Sequence, residues 1–332
     1  MSGLVLALLG LSVAGLTWLA TRIVLDVLVR RAILDKPNER SSHDTPTPRG
    51  GGIAVVAVLF PAWIVAALLS DAWVPWLPLG AMLFLAGVSW RDDLESLGVL
   101  WRFGAQILAV AIGLESIDGL VFRGLLPGWL DPLAAGFLWL WFVNLYNFMD
   151  GIDGIAAVET ASIGGGVALV ALGAAMGPAG ASAWGIVLAA AALGFLPWNW
   201  HRAKVFLGDV GSVPLGYLSG WLLLSMAAAG AWKAALILPL YYLADATITL
   251  LRRLRRGEKV WRAHREHYYQ RAVQGGMSHA AVVRAILAGN LALGGLALGA
   301  ETGLGSLALV MAGTVAAILL YRLTFAHTPD PA

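Results

Sequence analysis

The sequence predicts an all-α integral membrane protein: a polytopic bundle of about eleven transmembrane helices, with ten as the alternative count. Three observations lead there. Of the 332 residues, 59% are hydrophobic and 13% charged, and the mean hydropathy is +0.77, so no soluble domain of useful size remains. The apolar residues are gathered into runs about long enough to cross hydrocarbon at about 1.5 Å per residue. The basic residues between those runs sort to one side.

The runs lie near residues 3–21, 50–70, 73–90, 99–117, 132–148, 154–176, 182–200, 213–230, 232–251, 281–300 and 303–321. The first has neither a basic leader nor a small-residue cleavage site, so a retained helix is expected and not a signal peptide. Placing the N-terminus in the periplasm puts 20 of the 22 basic residues in inward-facing segments and leaves Arg123 and Lys233 outside, the asymmetry of the positive-inside rule. Trp73, Trp76, Trp129, Trp184 and Trp232 then flank outer ends, and Trp90, Trp101, Trp198 and Trp200 flank inner ones, as interfacial indoles do. No repeat of about 20 to 50 residues is visible, and residues 1–332 read as one integral domain. The net charge of +2 says little, because charge is sorted by side and not by domain. With no cysteine, neither disulfides nor thiolate ligands exist.

Five carboxylates carry the functional signal. Asp92, Asp93, Asp150, Asp153 and Asp209 all fall where apolar runs stop, on the face that this orientation makes cytoplasmic. A carboxylate near hydrocarbon costs about 2.5 to 3.5 kcal/mol, so five at the lipid boundary point to use, with cations, phosphates or lipids as fitting ligands. Asp150 and Asp153 follow Asn144 and Asn147 and share a face if the sixth helix begins there; helix capping would explain one acid more readily than two. Without a bridging metal that pair suits nucleoside hydroxyls, base N–H groups or a sugar amide. Gly208 and Gly211 expose Asp209 as a hard-cation ligand needs, although the same motif makes an ordinary turn with an N-cap. Together with Asp92 and Asp93 these loops suggest oxygen ligands for Mg²⁺, with Mn²⁺ as the alternative, shared with the phosphates of a substrate.

The basic counterpart sits in other inner loops. Arg40, Ser41, Ser42, His43 and Arg49 lie among prolines and ahead of Gly50, Gly51 and Gly52, a set of donors without regular structure that suits an anionic ligand. A linker resting on anionic lipid explains those charges but not the glycine run. Asn199 and Lys204 precede the Asp209 motif. In the last inner loop the arginines from Arg252 to Arg256 mark topology and lipid-headgroup contact. His264, Arg265 and His267 suit phosphate, since the i,i+3 histidine spacing is not the zinc arrangement. A short loop between spans is a poor platform for nucleic acid. Asp245 lies inside the ninth run, where an acid is either partnered or functional.

These segments resemble, in order and between matching spans, the polyprenyl-phosphate N-acetylhexosamine-1-phosphate transferase family, which includes the MraY and WecA enzymes. The resemblance rests on Asp35 to His43, Asp92 with Asp93, Asn147 to Gly154, Phe206 to Ser212, and His264 to His267. The stretch from Ser41 to Gly52 and the form His264 to Arg271 look most like its WbpL-like branch, which starts O-antigen or other surface-glycan chains. What the resemblance implies is a multi-pass enzyme of the bacterial cytoplasmic membrane, moving a sugar 1-phosphate from a UDP-N-acetylhexosamine to undecaprenyl phosphate and releasing UMP. It implies Mg²⁺ at Asp209, metal, phosphate or base roles for Asp92 and Asp93, and the nucleotide-sugar at Asp150 and Asp153; a homodimer is left open.

The expected catalytic set is therefore Asp92, Asp93, Asp209 and His267, with Asp209, Asp92 and Asp93 as metal ligands. Arg40, His43, Arg49, Asn144, Asn147, Asp150, Asp153, Asn199, Lys204, His264 and Arg265 are the expected substrate-binding residues. A lipid phosphate with a second pKa near 6 is largely dianionic at cytoplasmic pH, so Asp92 and Asp93 are expected to hold metal or orientation and not to abstract a proton. Two alternatives stand beside this one. A phospho-N-acetylmuramoyl-pentapeptide transferase is weakened by His264-Arg265-Glu266-His267, where relatives carry consecutive histidines. A secondary transporter would want its acids near the bilayer midplane and paired halves of the chain.

Overall fold

A computed structural model describes residues 1–35, 37, 45–259 and 264–325. Among these residues the chain forms α1 (Gly3–Arg30), β1 (Leu34–Asp35), β2 (Thr47–Pro48), α2 (Gly52–Leu69), α3 (Trp76–Glu95), α4 (Val99–Leu114), α5 (Leu130–Met149), α6 (Ile155–Gly173), α7 (Ala181–Asn199), α8 (Asp209–Ala228), α9 (Trp232–Ile237), α10 (Leu240–Arg255), α11 (Tyr268–Gln274), α12 (His279–Thr302) and α13 (Leu307–Thr324). The strands pair antiparallel, Leu34 with Pro48 and Asp35 with Thr47.

Every predicted apolar run is helical. Ten form one helix each, and the ninth is split at Pro239 into α9 and α10, because proline brings no N–H and its ring crowds the carbonyl one turn back. The remaining helix, α11, belongs to the last inner loop. Seven helices, α1, α2, α6, α7, α8, α12 and α13, are long and apolar enough to cross a membrane by length and composition. These seven are seven of the eleven runs expected to cross. The others fall short for visible reasons: α4 has 16 residues, α3 ends in a charged turn, α5 carries Asp131, Asn144 and Asn147, and the ninth run is broken.

Helix α8 is the axis of the bundle, buried nearly throughout and packed by α2, α3, α5 and α9, whereas most of α1 is not buried against the rest of the protein. Small residues set the close approaches, since lipid supplies no hydrophobic drive between helices. A methyl on Gly164 of α6 would fall 2.6 Å from the Gly185 carbonyl of α7, so the two helices touch backbone to backbone. At the far end of the bundle Trp63, Trp184 and Trp221 pack with ring centroids 5.5 to 5.9 Å apart, fixing α2, α7 and α8. Across α6 and α12, Asn290 donates to the fully buried Glu159 at 2.7 Å.

Candidate active site

The site is built on a seam between the starts of α2 and α8. Gly50 and Gly51 donate their N–H groups to the Phe206 carbonyl at 3.2 and 2.9 Å, and Gly52 donates to Leu207 at 2.8 Å. Gly52 and Gly211 face each other so closely that a methyl on Gly52 would collide with the Gly211 backbone, which explains the glycine run that charge alone left unexplained. The seam carries Arg49 into the site, where Nη2 lies 2.8 Å from Asp93 Oδ1 and 2.9 Å from Asp209 Oδ1. At Gly208, with φ of +73°, the chain adopts a positive-φ conformation that glycine permits and enters α8. The N–H groups of Asp209 and Val210 then point at Asp93, 3.3 and 3.0 Å away.

The five predicted carboxylates consequently have different surroundings. Asp93, on α3, is the buried N-terminal cap of α8, where the positive end of the helix holds it. Asp92 accepts the Leu97 N–H at 2.6 Å and the Arg102 guanidinium at 3.0 Å. Asp209, in the first turn of α8, shares Arg49 with Asp93, and its second oxygen is 3.9 Å from Arg102. Asp153 accepts from His201 Nδ1 at 2.8 Å and from the Ala203 N–H at 3.2 Å, and lies 3.2 Å from His279 Nδ1. Burial works against its charge, yet the two imidazoles hold it below the usual carboxylate range. Asp150 caps the end of α5, and its carboxylate makes no hydrogen bond to another described residue. Burial first, and then the charge of Asp209, push it up to about 7.

Beside these acids opens a cavity of about 440 Å³ between α3, α4 and α5, walled by Leu85, Val88, Phe103, Phe137, Leu140 and Trp141. Asp92, Arg102, Asn144, Asn147 and Asp209 also line it. An apolar trough with a cluster of charged side chains, Asp92, Arg102 and Asp209, gathered in its wall has the form of a site for a chain with a charged head. Its two asparagines are tethered: Asn144 donates to Gln106 at 2.8 Å and Asn147 accepts from Ser212 at 2.6 Å.

The other predicted residues lie around this centre. Asn199 is a buried staple, accepting from the Gly154 N–H at 2.9 Å and donating to the Val205 carbonyl at 3.0 Å. Lys204 rests over the Trp198 ring, 5.4 Å from its centroid. Asp245 is partnered: His267 Nδ1 lies 3.2 Å from it, the N–H groups of Tyr268 and Tyr269 donate at 3.0 and 3.3 Å, and the Tyr241 hydroxyl donates at 3.1 Å. It thereby docks α11, whose Tyr269 hydroxyl donates to the Phe148 carbonyl at 3.2 Å beside Asp150. His267 is buried against Asp245 and takes no part in lining the cavity. Burial, then His267 and Arg253, push His264 down to about 4, so it is neutral near pH 7. The Arg265 carbonyl accepts from Gln274 at 2.8 Å. Arg40 and His43 lie outside the described residues. Sequence reasoning missed Arg102 as a site residue, along with Gln106, His201 and His279. Arg102 had one signal, a cation at the head of the apolar run that follows Asp92 and Asp93; the lone histidines and Gln106 had none.

A family model described as glycosyl transferase family 4 matches residues 75–227. The chain is similar to the decaprenyl-phosphate N-acetylglucosaminephosphotransferase of Mycobacterium leprae (strain TN), at 31% identity over 319 residues, covering 84% of this chain and 79% of the relative. A probable undecaprenyl-phosphate N-acetylglucosaminyl 1-phosphate transferase of Bacillus subtilis (strain 168) is 27% identical over 284 residues, covering 78% and 75%. A phospho-N-acetylmuramoyl-pentapeptide-transferase of Moorella thermoacetica (strain ATCC 39073 / JCM 9320) is 39% identical over 95 residues, covering 29% of each chain.

Proposed function

The chain belongs to glycosyl transferase family 4, and from that premise we propose that it transfers an N-acetylhexosamine 1-phosphate from a UDP-sugar to a polyprenyl phosphate, undecaprenyl phosphate foremost, leaving UMP. The product would start an O-antigen or another surface glycan. The observation that carries this reading is the apolar cavity with Asp92, Arg102 and Asp209 in its wall, which suits a lipid chain ending in a phosphate. The relatives that match most of the chain are named for N-acetylglucosamine, so UDP-N-acetylglucosamine is the first donor to test.

In this reaction an oxygen of the lipid phosphate attacks the β-phosphorus of the donor. The bond from that phosphorus to the oxygen bridging it to the α-phosphate breaks, and UMP carries away the electron pair. A largely dianionic acceptor needs no general base, so the protein's task is to bring two anions together and neutralise them. Arg102, 3.0 Å from Asp92, holds the lipid phosphate at the cavity wall, and Arg49 faces the donor's phosphates. Asp93, spent on the start of α8, positions Asp209 and Arg49. Asp150 and Asp209 offer only oxygen donors and suit a hard divalent cation. Mg²⁺ bound there would neutralise charge on the donor's phosphates.

The experiment uses donor labelled at the β-phosphorus and polyprenyl phosphate with the purified enzyme and Mg²⁺. The label is expected in the lipid pyrophosphate, UMP in solution, and no product with excess chelator. Release of labelled UDP would overturn the phosphotransferase reading, and undiminished turnover in chelator would overturn the cation assignment.

A further inference from the structure

The third acid of the site presents a chemistry that sugar-phosphate transfer does not require. Asp153 precedes α6, His201 lies in the loop before α8, and His279 is the first residue of α12. One oxygen from Asp153 and one nitrogen from each histidine all lie within 4.8 Å of one another. Asp153 and His279 are 7% and 8% exposed at the side chain, and His201 is 32% exposed, so the cluster is closed on two sides and open on the third. Among the described residues no lysine or arginine pairs with Asp153.

Hydrogen bonding alone does not satisfy this arrangement. His279 Nδ1 lies 3.2 Å from Asp153 Oδ2 and also accepts the Asp153 backbone N–H at 3.4 Å. If that nitrogen carries a proton, two N–H groups face each other; if it does not, its lone pair faces a carboxylate oxygen. The same Oδ2 already takes His201 and the Ala203 N–H. A cation between the three donors resolves the contact with Oδ2, for it takes the lone pair of each imidazole and the charge of the carboxylate together, and the Asp153 N–H then gives up its 3.4 Å contact with His279 Nδ1. Two imidazoles and one carboxylate are the ligand set of borderline divalent ions, whereas the acids around Asp209 offer oxygen alone. Ligands about 2.0–2.1 Å from a tetrahedral ion stand about 3.3 Å apart. The His279 pair already has that spacing, and the His201 pair at 2.8 Å must open by about 0.5 Å, which a half-exposed loop histidine can do.

We infer that Asp153, His201 and His279 form a binding site for a borderline divalent metal ion of the Zn²⁺ or Co²⁺ class, separate from the Asp209 acids. The ion ties the turn bearing Asp150 to the loop before α8 and to α12, and its open side faces the solvent at His201.

The full-length protein in detergent, stripped with chelator and dialysed, would be titrated with Co²⁺ alone while its visible d–d absorption is recorded. About one Co²⁺ per chain is expected to develop that absorption in wild type and in Asp209→Asn, to be displaced by Zn²⁺, and to survive excess Mg²⁺. His201→Ala and His279→Gln should lose it. The exposed position of His201 keeps the test open if the α12 variant fails to fold. Zn²⁺ should also raise the thermal midpoint of wild type and leave that of His201→Ala unchanged. Absence of the absorption in wild type, its persistence in both histidine variants, or its loss in Asp209→Asn alone would overturn the site. None of these readouts involves turnover, so they stand apart from the phosphotransferase test.

Discussion

Substituting Gly52 with alanine tests whether the glycine seam positions the active site. The added methyl would lie 2.9 Å from the Leu207 carbonyl and closer still to the Gly211 Cα and N. All three are backbone atoms, so no rotamer change relieves the collision. Carbon atoms in contact rest at about 3.5 Å or more, and the starts of α2 and α8 must therefore part by about 1 Å. That displacement is applied at the Gly52 to Leu207 hydrogen bond of 2.8 Å, three residues from Arg49, whose bonds to Asp93 and Asp209 are 2.8 and 2.9 Å long. Overpacking of this kind costs about 1–3 kcal/mol, which a bundle of this size should survive, but a shift of about 1 Å in the reacting groups lowers the rate about 100-fold. The assay pairs turnover of labelled donor with the thermal midpoint in detergent. Gly87→Ala, on α3 with nothing within 4 Å of the new methyl, serves as the control. Full turnover in Gly52→Ala, or equal damage in Gly87→Ala, would refute the reasoning.

Further expectations follow from the acids. The Asp150 carboxyl has a pKa of about 7 in the fold against 3.8 ordinarily, so the fold holds a proton that the open chain releases. The stability this contributes is full below about pH 4 and lost by about pH 7, at no more than about 1.4 kcal/mol per pH unit. Asp150→Asn cannot ionise, so its thermal midpoint relative to wild type should climb from pH 5 to pH 8; a constant difference would contradict this. Asp245→Ala strands several buried donors and should cost about 3 kcal/mol or more while exposing residues 264–274 to proteolysis; an unchanged midpoint and digestion pattern would remove Asp245 as the anchor of α11. Because 20 of 22 basic residues sort to one side, a reporter near Gly257 should be cytoplasmic and one near Gly128 periplasmic, and the reverse pattern would overturn the orientation.

The sequence by itself determined the helical membrane class, the place of nearly every helix in the chain and the acids worth watching. These are local properties: a run of apolar residues forms a helix in lipid because its backbone groups must bond within the run, and an acid at the end of a run is visible without knowing what lies opposite. The break at Pro239 was not legible there, since Pro61, Pro197 and Pro214 lie inside continuous helices. Tertiary structure decided the division of labour among the acids. Asp92 and Asp93 are neighbours in the chain, yet one holds Arg102 and the other caps a helix that begins more than a hundred residues later. His201 and His279 became partners of Asp153 only because α6, α7 and α12 pack together. Such pairings depend on the register between helices, and that register is set by backbone contacts such as Gly52 on Gly211, where two distant stretches of chain must both lack a side chain for either to be in place.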